Sequence, residues 1–170
     1  MILVGIGSNL PAPGYPSPQD TAKAAMAALP TVGISVAARS PWYLSEPLPA
    51  SDQPWFANAV VAVTSELAPA ALLGRLLALE AQFGRQRGAR DAARTLDLDL
   101  LDYDGRQCST ETLELPHPRL HERRFVLAPL CDIAPEWRHP RFGLTAAELL
   151  AQLPPGQPIR RLTDPKEGPA

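Results

Sequence analysis

From Thr95 to Leu101 the chain reads Thr-Leu-Asp-Leu-Asp-Leu-Leu, and this alternation constrains the fold more than any other stretch. A period of two marks an extended strand. Leu96, Leu98 and Leu100 fall on one face, and Asp97 and Asp99 on the other with α-carbons ~6.6 Å apart. Aspartate is depleted in strands and two like charges on one face repel, so the pair costs stability unless a cation neutralises it. An exposed polar edge strand is the plainer alternative at this point.

The flanking segments set this strand in an order. Ile2 to Ile6 is an apolar run that ends at Gly-Ser-Asn and a Pro/Gly-rich loop, which predicts a buried first strand. Asp20 is placed to cap an alanine-rich helix through Leu29. An extended segment follows from Val32 to about Ser45, then a proline-punctuated loop over 46–54 and a strand from Phe56 to Thr64. Pro69 suits a first helical turn, and Leu72, Leu73, Leu76, Leu77 and Phe83 carry that helix to a stop at Gly84. An arginine-rich loop over 85–94 leads into the Thr95–Tyr103 strand. Asp104-Gly105 signals a hairpin, with a further strand near Thr110 to Leu115. His121 to Leu130 and Ala146 to Leu153 read as helices. The order strand, helix, strand, strand, helix, strand is the split βαβ arrangement, an α+β fold with an antiparallel sheet and helices on one face. One domain over 1–153 and an irregular tail over 154–170 complete this division.

Composition narrows the function classes. A net charge of -2 and a pI near 5.9 argue against a nucleic-acid coat protein. No apolar run approaches the ~20 residues of a membrane span, and residues 1–10 do not resemble a secretory signal, so a cytoplasmic protein is expected. Cys108 and Cys131 lack ligand-type spacing, and two reduced thiols are expected. Among the 16 basic residues only Lys23 and Lys166 are lysines, and Arg85, Arg87, Arg90 and Arg94 crowd one stretch. Guanidinium forks bind phosphate oxygens in pairs, so the cluster can form a phosphate clamp; a solvated surface cluster is the other reading.

The carboxylate pair and the arginines together suit a metal-bound nucleotide triphosphate. Magnesium takes one or two carboxylates and completes its shell with water and phosphate oxygens. Phosphoryl chemistry then depends on positioning and charge neutralisation. Phe56 and Asn58 share a strand face, where a ring that stacks and an amide that both donates and accepts can read a flat heterocycle; taken alone, the pair reads more plainly as a satisfied core amide beside an ordinary packing ring. Helical spacing puts Glu80 on the apolar stripe, as a ligand for substrate or magnesium-nucleotide or as the cap of a hydrogen-bond network. His117 and Arg123 can donate to phosphate oxygens, and Phe125 offers a second stacking ring. No G-x-x-x-x-G-K-[ST] is present, which excludes a P-loop.

These blocks, taken in order, resemble the 6-hydroxymethyl-7,8-dihydropterin pyrophosphokinase family over about residues 1–150. They are Gly-Ser-Asn-Leu at 7–10, Phe-Ala-Asn-Ala at 56–59, Glu80 with Gly84-Arg85, Arg94-Thr-Leu-Asp-Leu-Asp-Leu-Leu to 101 and Leu115-Pro-His-Pro-Arg-Leu to 120, followed by Arg123 and Phe125. The resemblance implies a ferredoxin-like fold in αβα layers and transfer of pyrophosphate from ATP to the pterin hydroxymethyl group, with release of AMP, in folate biosynthesis. It implies Asp97 and Asp99 as ligands of two magnesium ions, with Arg85 and Arg94 acting on the transferring phosphates. Phe56 and Phe125 would sandwich the pterin, Asn58 would bond its edge, and Ser45 and Leu48 would add substrate contacts. Glu80, Arg87, Arg94, His117 and Arg123 are the implied nucleotide-site residues. Small-molecule substrates and a monomer are expected, with neither nucleic acid nor membrane as partner. One departure stands out: many members carry tryptophan and proline before the motif arginine, where this chain has Asp91, Ala92 and Ala93. A metal-dependent phosphohydrolase and a ferredoxin-like RNA binder are the competing readings, and the aspartate pair opposes the second by repelling a phosphate backbone.

Overall fold

The computed structural model describes residues 1–163 except 87, 89 and 90. Its centre is β1, Ile2–Ser8, an apolar run buried along its whole length. On one side β1 pairs antiparallel with β4, Phe56–Thr64, and on the other with β5, Asp97–Tyr103. The outer edge of β4 is shared by β2, Ser35–Arg39, and β3, Tyr43–Ser45. The extended segment expected over 32–45 is thus two strands. Pro41 has no N–H to give the ladder, and Ser40 bridges the break by donating its N–H to Val60 O and accepting the Val60 N–H on Oγ.

Beyond β3 lies β8, Ile159–Arg161, which corrects the expectation of an irregular tail at those positions. The free edge of β3 supplies the ladder groups that this short segment satisfies. Residues 164–170 lie outside the described residues. Asp104 and Gly105 adopt the positive φ of a tight turn, closed by Arg106 N–H to Tyr103 O at 3.0 Å. The hairpin does not extend from it: the next strands, β6 at Cys108–Ser109 and β7 at Glu114–Leu115, pair with each other as a separate ribbon. The first part of the strand expected over 110–115 is instead a turn in which Thr110 bonds Leu113.

Four α-helices lie among the described residues. α1, Pro18–Ala28, is capped by Ser17 rather than Asp20: Pro18 sets the first turn, Ser17 Oγ accepts the Asp20 N–H, and Asp20 falls inside that turn. α2 spans Pro69–Gln82, with Gly84 at φ 78 just past its end. The helix expected from His121 begins as a 3-10 turn over Leu120–Glu122; α3 proper is Arg124–Ile133, with Arg123 extended between them. α4, Ala146–Gln152, starts with a capping box of Thr145 and Glu148.

The helices lie on both faces of the sheet, not one, as the αβα layering implied. Ile2, Val4, Ile6, Ala59, Val61, Leu98 and Leu100 pack on α1 and α2 through Ala22, Ala25, Leu72, Leu76 and Leu79. Leu3, Val60, Ala62 and Leu101 pack on α3 and α4 through Val126, Leu127, Leu130 and Leu149. A register shift opposite Leu3/Val4 accommodates Asp102, which joins Leu101 on the α3/α4 face, where its carboxylate accepts Trp137 Nε1–H at 2.8 Å.

Candidate functional site

The α3/α4 face is covered by helices over only part of its extent. The remainder is the floor of an open cavity. Register builds that floor row by row. Gly7 of the central strand lies between Asn58 and Asp97, and Gly5 between Val60 and Asp99. Neighbouring strands are about 4.8 Å apart, so Asn58 and Asp97 face each other across roughly 10 Å of bare backbone. A methyl on Gly7 would stand 3.3 Å from Asn58 Oδ1 and close to Phe56 and the Asp97 Cβ, so glycine here keeps the floor open.

The charged wall stands on β5. Asp97 accepts from Arg85 Nη1 on Oδ1 at 2.8 Å and from Arg94 Nη1 on Oδ2 at 2.9 Å; Asp99 accepts from Arg123 Nη1 at 2.9 Å. Burial, and then the neighbouring Asp99 carboxylate, push the Asp97 carboxyl upward against the pull of Arg94 and Arg85. His117 Nε2 lies 3.9 Å from Asp99 Oδ2. Burial, joined by Arg123, lowers the His117 imidazole to about 4, and its Nδ1 accepts the Arg119 N–H, so at neutral pH it is an uncharged ring with Nε2 as donor. The break before α3 is what aims Arg123 at Asp99 and sets its guanidinium 5.7 Å from the Phe125 ring.

Of the two roles open to Glu80, the contacts correspond to the network. It is 4 % exposed and is not part of the cavity lining. Its Oε1 accepts the Leu98 N–H at 2.7 Å, on the outer edge of β5, and an Arg85 N–H. Burial raises this carboxyl to about 7, with the Leu98 N–H opposing. Glu80 therefore anchors Arg85 behind Asp97.

The apolar end holds Phe56, Asn58, Ser45, Leu48 and Phe125, all lining the cavity. Asn58 Nδ2 donates to Ser45 Oγ at 2.7 Å, which leaves Oδ1 toward the floor. The residues expected to stack a ring, read its edge and hold a metal thus converge on one cavity. Arg87 lies outside the described residues.

Three features escaped the sequence reading. Gly5 and Gly7 alternate within an apolar strand, a spacing that signals a bare face. Asn9 is wholly buried: its Nδ2 donates to Gln53 Oε1 and Pro54 O, and its Oδ1 accepts the Arg94 N–H at 2.8 Å. It thereby ties the 46–54 loop to the loop before β5, where Gln53 also reaches Asp91 O. Gln157 joins the lining from beyond α4, and only its tertiary position could disclose that.

This chain is similar to known proteins in both sequence and fold. A family model described as 7,8-dihydro-6-hydroxymethylpterin-pyrophosphokinase matches residues 3–135. A 2-amino-4-hydroxy-6-hydroxymethyldihydropteridine pyrophosphokinase of Methylorubrum extorquens is 47% identical over 125 residues, covering 74% of this chain and 78% of that one. One of the same description from Pseudomonas aeruginosa is 40% identical over 154 residues, covering 90% and 91%. The Plasmodium falciparum HPPK-DHPS structure shares the fold, with a TM-score of 0.63 at 13% identity over 88% of this chain and 43% of its own. This chain belongs to the 7,8-dihydro-6-hydroxymethylpterin-pyrophosphokinase family.

Proposed function

We propose that this chain transfers pyrophosphate from ATP to the hydroxymethyl group of 6-hydroxymethyl-7,8-dihydropterin, releasing AMP, as a step of folate biosynthesis. The observation that carries the reading is the shared floor: a carboxylate pair ringed by Arg85, Arg94 and Arg123 faces Asn58 across a bare glycine row, between Phe56 and Phe125.

In this reading the pterin stacks between Phe56 and Phe125, and Asn58 bonds its edge, with Ser45 and Leu48 beside it. The triphosphate lies over β5, where Arg94 and Arg123 turn from the carboxylates to phosphate oxygens. Arg85, held by Glu80, stays beside Asp97. His117 offers Nε2–H to the nucleotide, and Arg87 is assigned there by resemblance. The substrate hydroxyl oxygen bonds the β-phosphorus as the bridge to the α-phosphate breaks; AMP keeps the bridging oxygen, and the hydroxyl proton leaves to solvent. Once seated on the phosphates, Arg94 and Arg123 stabilise the charge that builds there, because donors already in place need no reorganisation during transfer.

The donor set fits magnesium. Two hard carboxylates that repel each other, one of them driven toward protonation by that repulsion and by burial, gain most from a divalent cation. Among the described residues no group of three His, Cys, Asp or Glu forms an all-protein cage, consistent with an ion completed by phosphates and water. Asp97 and Asp99 would hold two magnesium ions, which when bound supply charge neutralisation on the triphosphate.

The reading includes a monomeric, cytoplasmic enzyme, the cytoplasmic part in keeping with the partly exposed free thiols of Cys108 and Cys131. No helix among the described residues is long and apolar enough to cross a membrane. The test is product analysis with ATP, magnesium and the hydroxymethyl-dihydropterin. Equimolar AMP and pterin pyrophosphate are expected; release of inorganic phosphate without pterin consumption would overturn the reading in favour of a hydrolase.

A further inference from the structure

The segment after α4 lies beyond residues 3–135 matched by the family, yet it covers the outer edge of β3 beside the cavity. Its ladder is longer than β8 itself. Pro158 O accepts the Glu46 N–H at 3.1 Å, and Leu162 N–H reaches Trp42 O at 2.8 Å. Between them Ile159, Arg160 and Arg161 pair with Ser45, Leu44 and Tyr43. At the cavity end a side chain adds one more bond: Gln157 Nε2 donates to Glu46 O. Both main-chain groups of Glu46 are therefore held by residues 157 and 158.

Glu46 is where the chain leaves β3 for the 46–54 loop. Glu46, Pro47, Leu48 and Pro49 line the cavity, and the two prolines have no N–H with which to tie this stretch down. On the strand side, Ser45 Oγ takes the Asn58 Nδ2–H and so leaves Asn58 Oδ1 toward the floor. A three-residue strand bonded along one edge alone opens readily at its end, so the place of this wall depends on what pins the Glu46 peptide. The arginines at the other end of the cavity are held separately, by Glu80, Ala92 O and the carboxylate pair. We propose that Gln157 is a positioning residue for the heterocycle: through the Glu46 peptide it sets the wall from Ser45 to Pro49 against which the ring is seated. This inference rests on the pterin reading of the site. It divides the cavity, with the heterocycle end dependent on the C-terminal segment and the phosphate end independent of it.

Calorimetry on the full chain with magnesium and a non-hydrolysable ATP analogue, followed by hydroxymethyl-pterin, reads the two ends in turn. Gln157→Met keeps the length of the side chain and removes the donor. Pterin affinity is expected to fall about fivefold, as for loss of one neutral hydrogen bond, with affinity for the ATP analogue within twofold of the parent. Amide hydrogen exchange supplies the link: the Glu46 N–H should exchange about fivefold faster in the variant while the β1 amides keep parental rates. Parent-like pterin affinity in the variant overturns the inference. So does an equal loss for both ligands, the mark of a general weakening of the fold, and so does weaker pterin binding at unchanged Glu46 exchange. If Gln157→Met fails to fold, Gln157→Asn, which withdraws the donor by one methylene, is judged by the same criteria. A parent chain that binds the ATP analogue but no pterin instead sinks the proposed function, and it does so before any variant is made.

Discussion

Asp97, Asp99 and Asp102 lie on one strand and serve one face of the sheet, yet they occupy contrasting surroundings. Asp102 is 2 % exposed, and its two oxygens are committed to Trp137 Nε1–H and the Gly105 N–H, neutral donors fixed in the fold. Asp97 and Asp99 meet guanidinium groups at the rim of a cavity, and the same guanidiniums suit phosphate oxygens. A carboxylate tied to the backbone and an indole holds structure together. One matched to exchangeable cations is free to take new partners.

The largest expected break in this contrast comes from Asp97→Ala and Asp99→Ala. Each should lower turnover by about 10³-fold or more while costing under about 1 kcal/mol of stability, because the removed group leaves arginines that water can solvate. Steady-state assays paired with thermal melts measure both, and near-parental turnover in both variants would refute their role. Asp102→Ala should do the opposite. It strands the Trp137 N–H and should cost roughly 1–3 kcal/mol in urea unfolding while turnover per folded molecule stays within a few-fold. A large fall in turnover at full stability would erase the contrast.

A smaller effect sharpens it through pH. His139, 2 % exposed beside Trp137, is held neutral down to about 4 by burial, aided by His121 and Arg141. The unfolded imidazole takes its proton near 6.5, so its contribution is present above that pH and is lost as pH falls through about 4. His117 adds loss in the same direction, whereas Glu80, raised to about 7, favours the folded state at low pH and loses that contribution as pH rises through 7. His139→Asn keeps an acceptor for the Arg141 N–H and removes one titration. Between pH 6.5 and 4 the parent should lose roughly 1–3 kcal/mol more than this variant, as read from urea midpoints. Parallel curves would show that the imidazole is not the acid-sensitive element.

Much of this arrangement was legible in the chain because its signals are local. The leucine-aspartate alternation gave the faces of β5, and Phe56 with Asn58 two residues apart gave those of β4. Features set by partners distant in sequence were not legible. Nothing near Asp102 announces the register shift that brings it to Trp137, since the shift is defined against β1. Helices on both faces follow from where α3 and α4 pack, which strand order alone leaves undetermined. Asn9 reads as an ordinary turn residue until Gln53, Pro54 and Arg94 converge on it.

The glycine row has one more consequence. Side chains at a rim drift with rotamers, and loops drift with their hinges, but the separation between Asn58 and Asp97 is written into two backbone ladders either side of Gly7. On the proposed reading, the molecule gauges its ligand with main chain. A mutation that merely replaces a rim residue alters how tightly something is gripped, whereas altering the length it accepts would require rebuilding the sheet.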